Sequence, residues 1–258
     1  MATRAILAGR GALPGLLLEA GTAHIVQFRG VPIDVEAPVV EARFEQLGKL
    51  FDTLRDYGVT EVCLAGAMAR PALDPVAFDP FTAKQMPALM AAMGQGDDAL
   101  LRAVIGVIEG VDITVLPNNN NHPDLIASAG VIAGTPVSED DAARGRAVLD
   151  ALGPLDVGQG AVVAKGQVIG VETLQGTDAM LDFVAATAPG SGGVFVKRPK
   201  PGQDLRVDMP AIGPDTVRKA AAAGLAGIEV AADAVLLLDR AGIEVACAET
   251  GLALWAGP

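Results

Sequence analysis

The sequence is short of aromatic side chains. They make up 3% of its 258 residues, with one Trp and one Tyr. Proteins that hold single-stranded nucleic acid stack bases on aromatic platforms, so that mode of binding is excluded. Positive charge is scarce too: 19 Lys and Arg stand against 31 Asp and Glu, a formal net charge of −12. No broad basic face is available for a phosphate backbone, and no nucleic-acid partner is expected. An anionic chain that takes an anionic substrate must do so locally, with backbone amides, a few placed cations or a metal ion.

His24 and His122 are the only histidines, and neither has a metal-ligand neighbour at helical or loop spacing. A His-rich two-metal phosphoesterase centre is thereby excluded. There is no Gly-x-Ser-x-Gly elbow, no Gly-Lys-Ser/Thr phosphate loop, no catalytic Cys–His context and no Glu-rich Nudix helix. Cys63 and Cys247 each sit inside an apolar run and read as buried strand residues, not as a disulfide framework. No uninterrupted apolar run reaches about 18 residues, so no membrane span is expected. Met1 to Arg10 lacks the charged and apolar regions of a signal peptide. A soluble protein is expected, one that meets any lipid at a membrane surface or in an apolar cleft.

Aliphatic residues are abundant. The chain is 51% hydrophobic and long enough to bury one large core or two small ones. In the first half, apolar runs at Arg4 to Ala8, His24 to Phe28, Val59 to Ala65 and Val111 to Leu116 predict strands. Leu13 to Ala20, Glu41 to Tyr57 and Asp97 to Glu109 predict helices; Phe44, Leu47, Phe51 and Leu54 recur at helical spacing, and Gly58 and Gly110 stop their helices. Strands alternating with helices imply a parallel sheet covered on both faces. Asn118 to Asn121 is a polar loop without nameable chemistry.

The second half is less regular. Gly160 to Ala164 and Gln167 to Glu172 predict a hairpin turning at Lys165-Gly166. Ser138 to Leu152, Gly176 to Ala186 and Gly213 to Ala223 predict helices, the first opening close to a capping box at Ser138 and Asp141. Gly193 to Val196, Leu205 to Met209, Gly227 to Val230, Ala234 to Leu238 and Ile243 to Cys247 predict strands. The expected organisation is an α/β chain: an N-terminal Rossmann-like parallel-sheet domain over residues 1–132 and a C-terminal mixed α/β domain over residues 133–258.

Four segments could carry chemistry. Gly9-Arg10-Gly11-Ala12-Leu13-Pro14-Gly15 follows a strand and opens a helix. It is either a tight turn or a nucleotide or sugar contact, and its glycine spacing is not the dinucleotide fingerprint. Glu172 with Gly176-Thr177-Asp178 ends the hairpin and starts a helix; Asp178 either caps that helix or holds a metal or a ligand hydroxyl. Lys197-Arg198-Pro199-Lys200 places three cations in four residues beyond a strand, as a solvated face or a phosphate contact. Alternation through Leu205, Val207 and Met209 would put Asp204, Arg206 and Asp208 on one face. Asp208 there is a surface ion-pair residue, a cation ligand or a water orienter.

Together these segments resemble the LpxI-type UDP-2,3-diacylglucosamine pyrophosphatases of lipid A synthesis. The carrying residues are Leu7-Ala8-Gly9 with Gly11-Ala12-Leu13-Pro14, Val171-Glu172 with Gly176-Thr177-Asp178-Ala179-Met180-Leu181, then Lys197, Asp208 to Val217, and Gly224 to Ile228. The resemblance implies two domains with the ligand in the cleft between them, and hydrolysis of the lipid-bearing nucleotide sugar to UMP and 2,3-diacylglucosamine 1-phosphate (lipid X). It implies dependence on Mg2+ or another divalent cation such as Mn2+, and cytoplasmic location with transient contact at the inner membrane.

The site roles that follow are Asp208, Lys197 and Asp178 in catalysis, with Asp208 and Asp178 on the metal. Gly9, Gly11, Leu13, Pro14, Glu172, Gly176, Thr177, Ile212 and Gly213 would line the substrate. Ala-rich helices are compatible with a homodimer or with ordinary packing. Two other readings stay open: a nucleotide-sugar-binding or regulatory protein without catalysis, and, weaker, an NAD-dependent oxidoreductase suggested only by the βα start.

Overall fold

Strand-forming aliphatic runs separated by amphipathic helices produce one parallel sheet and one mixed sheet, each with its own core. The computed structural model describes residues 3–19, 23–69, 71–118 and 122–258. The chain divides into two compact units: residues 1–122 with Arg206–Asp208, and residues 123–205 with residues 209–258.

In the first unit, β1 (Thr3–Ala8), β2 (Ala23–Phe28), β3 (Val39–Ala42), β4 (Val59–Ala65) and β5 (Thr114–Val115) form one parallel sheet in the order β3-β2-β1-β4-β5. The helices are α1 (Leu13–Glu19), α2 (Leu47–Asp56), α3 (Pro80–Met93) and α4 (Asp97–Glu109). The chain leaves β1 toward one edge and returns through β4 on the other side, so the order reverses between β1 and β4. That is where open α/β sheets bind ligands. The core is aliphatic, built on Val26, Phe28, Leu50, Leu54, Val62, Ile105 and Ile108. Val59–Ala65 and Asp97–Glu109 form over the expected residues.

Two expectations fail here for tertiary reasons, and one helix has no matching expectation. The helix expected from Glu41 starts only at Leu47, because Glu41 and Ala42 pair with Gln27 and Phe28 as a strand. Phe44 then stacks on Phe28 at 4.2 Å, which spends its helical periodicity on a turn. The strand expected over Val111 to Leu116 shrinks to two residues, since Asp112 turns the chain through the left-handed region at φ 62°. The helix α3 carries Pro87 inside it and was not signalled; Asp79 caps it by accepting from the Thr82 N–H at 2.7 Å.

The second unit adds β6 (Gly130–Ala133), α5 (Glu139–Leu152), β7 (Gly160–Ala164), β8 (Gln167–Val171), α6 (Gly176–Thr187) and β9 (Val194–Lys197). There follow β10 (Ala211–Ile212), α7 (Pro214–Ala222), β11 (Gly227–Ala231), β12 (Leu236–Leu237), α8 (Arg240–Thr250) and β13 (Ala253–Gly257). Six strands make a mixed sheet, β6-β13-β11-β9-β7-β8, while β10 and β12 pair separately in parallel. Alternation decides the faces. Val162, Phe195, Ile228, Val230 and Leu254 point into the core shared with α6, α7 and α8. Ala161, Val194, Val196, Ala253 and Trp255 pack instead with Ala142 and Leu149 of α5. The predicted hairpin forms, with Lys165 at φ 51° and Gly166 at φ 75°, the two left-handed residues a tight hairpin turn needs.

Here too there are corrections. The second unit begins at Pro123, and β6, which holds residues 132 and 133, pairs with β13 within it. Ile243 to Cys247 is helical, within α8, because Asp239 caps that helix and Ile243, Ala246 and Cys247 bury one stripe. The strand expected over Leu205 to Met209 is a turn. Val207 packs against the core of the first unit, and the Arg206 carbonyl accepts from the Asn118 N–H at 3.2 Å. Asp204, Arg206 and Asp208 therefore share no strand face.

Candidate active site

The glycines after β1 act first on the backbone. The Gly9 N–H donates to the Ala65 carbonyl at 2.8 Å, and Arg10 and Ala67 exchange backbone hydrogen bonds at 2.9 Å. A Cβ on Gly9 would lie 2.5 Å from the Ala67 carbonyl oxygen. The loops leaving β1 and β4 thus touch at the switch point, an approach only glycine permits. Gly11, at φ 104°, donates its N–H to Asp34 Oδ2 at 2.7 Å. A carboxylate already takes the amide that a phosphate would take. Leu13 and Pro14 are buried, and so brace the loop from beneath.

At one end of the second sheet, Glu172 leaves β8, Thr177 opens α6 and Lys197 ends β9. The Lys197 Nζ donates to both Glu172 carboxylate oxygens, at 2.9 and 3.1 Å, and to Thr177 Oγ1 at 2.6 Å. An ammonium has three donors, and all three are satisfied. The lysine side chain is 6% exposed and the glutamate 12%. Gly160 makes room for this pair, since a Cβ there would lie 2.5 Å from Glu172 Oε2. Of the expected site residues, the structure brings Glu172, Thr177 and Lys197 together.

The rest of the basic run is also paired. Arg198 meets Asp150 at 3.7 Å, and Lys200 meets Asp156. It is therefore neither a purely solvated face nor a row of unengaged phosphate ligands.

Asp178 does not join the Lys197 cluster. It is exposed on α6 and lies 3.7 Å from Lys219 Nζ, which also holds Asp182 and whose own pKa is raised chiefly by that hydrogen bond. Ile212 is a core residue at 1% exposure, so its side chain is not a ligand contact; Gly213 precedes α7 and donates its N–H to Thr216 Oγ1. Asp208 falls in the first unit, in the turn held by Asn118.

Three or more His, Cys, Asp or Glu do not gather into a metal cage among the described residues. Magnesium needs less, since it is held by one or two carboxylates with water and phosphate oxygens. The turn of Asp208 fits that demand. Beside it Asn118 is 3% exposed, and its Oδ1 has no hydrogen-bond partner among the described residues. Asp178, held to a lysine, fits it poorly. Asn119, Asn120 and Asn121 lie outside the described residues.

Sequence reasoning missed two buried charged networks. Asp141 accepts from Ser138 Oγ at 2.7 Å and from the Lys165 and Gly166 N–H groups at 3.1 and 2.7 Å, tying α5 to the hairpin turn. Burial opposes its ionisation, but those hydrogen bonds outweigh burial and hold its carboxyl below the ordinary range. Glu229, 2% exposed, accepts from both Arg146 and the Trp255 indole. Both cysteines are buried, and burial pushes their thiols up, so neither is a reactive nucleophile.

No helix among the described residues is long and apolar enough to cross a membrane. The LpxI N-terminal domain model matches residues 3–125 and the LpxI C-terminal domain model matches residues 128–255. The chain is also similar to the UDP-2,3-diacylglucosamine pyrophosphatase LpxI of Caulobacter vibrioides. The two are 36% identical over 265 residues, covering 96% of this chain and 94% of that one. With both domain models in order over nearly its whole length, and a relative matched end to end, the chain belongs to the LpxI family.

Proposed function

We propose that this protein hydrolyses the pyrophosphate bond of UDP-2,3-diacylglucosamine, releasing UMP and 2,3-diacylglucosamine 1-phosphate in lipid A synthesis. The observation that carries the reading is the end-to-end match to a relative bearing that activity in its name, at 36% identity. The reading places the protein in the cytoplasm, meeting its lipid-bearing substrate at the inner-membrane face. A homodimer is compatible with it.

The chemistry asks for charge neutralised on the pyrophosphate and a water held in line with the phosphorus. Asp208 and Asn118 are the residues proposed to hold a divalent cation, magnesium or manganese. When bound, that ion would offset phosphate charge and lower the pKa of water. Asp208 orients the attacking water and accepts its proton at the carboxylate. The 9–15 loop, at the point where strand order reverses, receives part of the nucleotide sugar.

Lys197 acts chiefly by positioning. It fixes Glu172 and the first turn of α6, so that Gly176 and Thr177 present a set backbone to the substrate. Attack is proposed at the sugar-side phosphorus.

The test is incubation with UDP-2,3-diacylglucosamine in water enriched in heavy oxygen, with magnesium or with EDTA, followed by mass spectrometry. Metal-dependent UMP release with label on the sugar phosphate is expected. Label on UMP overturns the direction of attack. Substrate binding with no UMP under any metal condition returns the non-catalytic reading, which the full engagement of Lys197 also suits.

A further inference from the structure

A cavity of about 650 Å³ opens in the first unit beyond the carboxyl ends of β2 and β3. Its floor is apolar, with Phe28, Val40, Ala42 and Leu50. Gln27, Gln46 and Thr53 add hydrogen-bonding groups, and Arg29, Arg43 and Lys49 bring three cations to the lining against one carboxylate, Glu41. In a chain of net charge −12 this is a local reversal of sign. The cations of the 197–200 run, by contrast, are engaged: Lys197, Arg198 and Lys200 each meet a carboxylate. Among the described residues, none of Arg29, Arg43 and Lys49 makes an ion pair.

The fold gathers these groups. Arg29 follows β2 and Arg43 follows β3, and the parallel register sets Phe28 beside Ala42, so the two arginines leave adjacent strand ends together. Lys49 comes from the first turn of α2. The ends of parallel strands are the ligand-binding edge of such sheets, and this volume is that of a small-molecule site. Unpaired guanidinium groups recognise phosphate oxygens in a bidentate way.

We propose that this cavity is a phosphate-recognition pocket, in which Arg29, Arg43 and Lys49 take the phosphate and the floor around Phe28 takes an apolar or planar body. A nucleoside monophosphate or a phospholipid headgroup supplies that chemistry. The inference does not rest on the hydrolytic reading, because its readout is binding alone.

The experiment is titration of the intact protein with UMP, with inorganic phosphate and with phosphatidylglycerol vesicles at low and high salt. The Arg29→Ala, Lys49→Ala and double variants are compared, with Lys84→Ala on α3 as a control outside the lining. Both substituted side chains are exposed, and a melting curve checks that each variant is folded.

Binding of UMP or of vesicles that weakens about tenfold in each single variant, and with added salt, but not in Lys84→Ala, supports the pocket and identifies the source of the phosphate. Binding of none of the three probes overturns it, as does binding that the double variant leaves unchanged.

Discussion

Lys197 and Glu172 form a two-oxygen ion pair at 2.9 and 3.1 Å, closed by Thr177, where β8, β9 and α6 meet. The pair lies in a part of the second unit that is nearly shielded from water. Breaking one half leaves an uncompensated buried charge, which typically costs about 3–5 kcal/mol. Lys197→Met and Glu172→Leu are each expected to lose about 3 kcal/mol in denaturant unfolding, and the double variant less than the sum. Additive losses would show that the pair is not coupled in solution.

Asp208 and Asp178, both expected on the metal, separate in their predicted consequences. Asp208→Asn is expected to lower turnover of UDP-2,3-diacylglucosamine by at least about 100-fold in a protein that still folds, as a melting curve checks. Asp178→Asn removes an exposed contact to Lys219 and is expected to cost less than about fivefold in kcat/KM. Equal losses at both positions would put Asp178 back in the reacting centre.

Two carboxylates ionise below the ordinary range and support the fold against acid. Asp141 and Asp79 are partly shielded, which alone would raise them. Asp141 is lowered by the Gly166, Ser138 and Lys165 hydrogen bonds, and Asp79 by Thr82, Lys49 and Gly48. A native carboxyl pKa below its unfolded value of about 3.9 contributes stability that is complete above that value. The contribution is lost as pH falls through the lowered native pKa. Unfolding free energy is therefore expected to drop below about pH 4, and Asp141→Asn to flatten that drop while costing about 1–3 kcal/mol at neutral pH. An unchanged acid limb in Asp141→Asn would remove the assignment.

Gly145 in α5 tests how closely that helix packs on its sheet. Helix propensity favours Ala over Gly by about 1 kcal/mol. A Cβ at this position, however, would lie 2.5 Å from Val196 Cγ2. Overpacking of a core costs about 1–3 kcal/mol, so Gly145→Ala is expected to be net destabilising. Adding Val196→Ala should return part of the loss. A stabilised Gly145→Ala would show that α5 can move away from β9.

Much of this architecture was written in local pattern. Val59–Ala65 is a continuous buried run, Asp97–Glu109 an amphipathic one, and the Lys165-Gly166 turn requires residues that tolerate positive φ. Such signals depend on neighbours within a few residues, so one sequence carries them. The same holds for the ordered motifs through Gly9, Glu172, Thr177, Lys197 and Gly213, which pointed to the family later matched along the chain.

Contacts between distant residues decided the rest. Glu41 is strand and not helix because Gln27 pairs with it, and Val207 packs on the first unit's core although the residues flanking its turn belong to the second. Lys197 is engaged and not available because Glu172 and Thr177 converge on it, and Arg29 and Arg43 share a cavity only because two parallel strands end side by side. The amino-acid sequence by itself determined the element types, the anionic aliphatic character and the family. The tertiary structure decided which charges meet, because pairing a charge depends on closeness in space and sequence spacing does not report it.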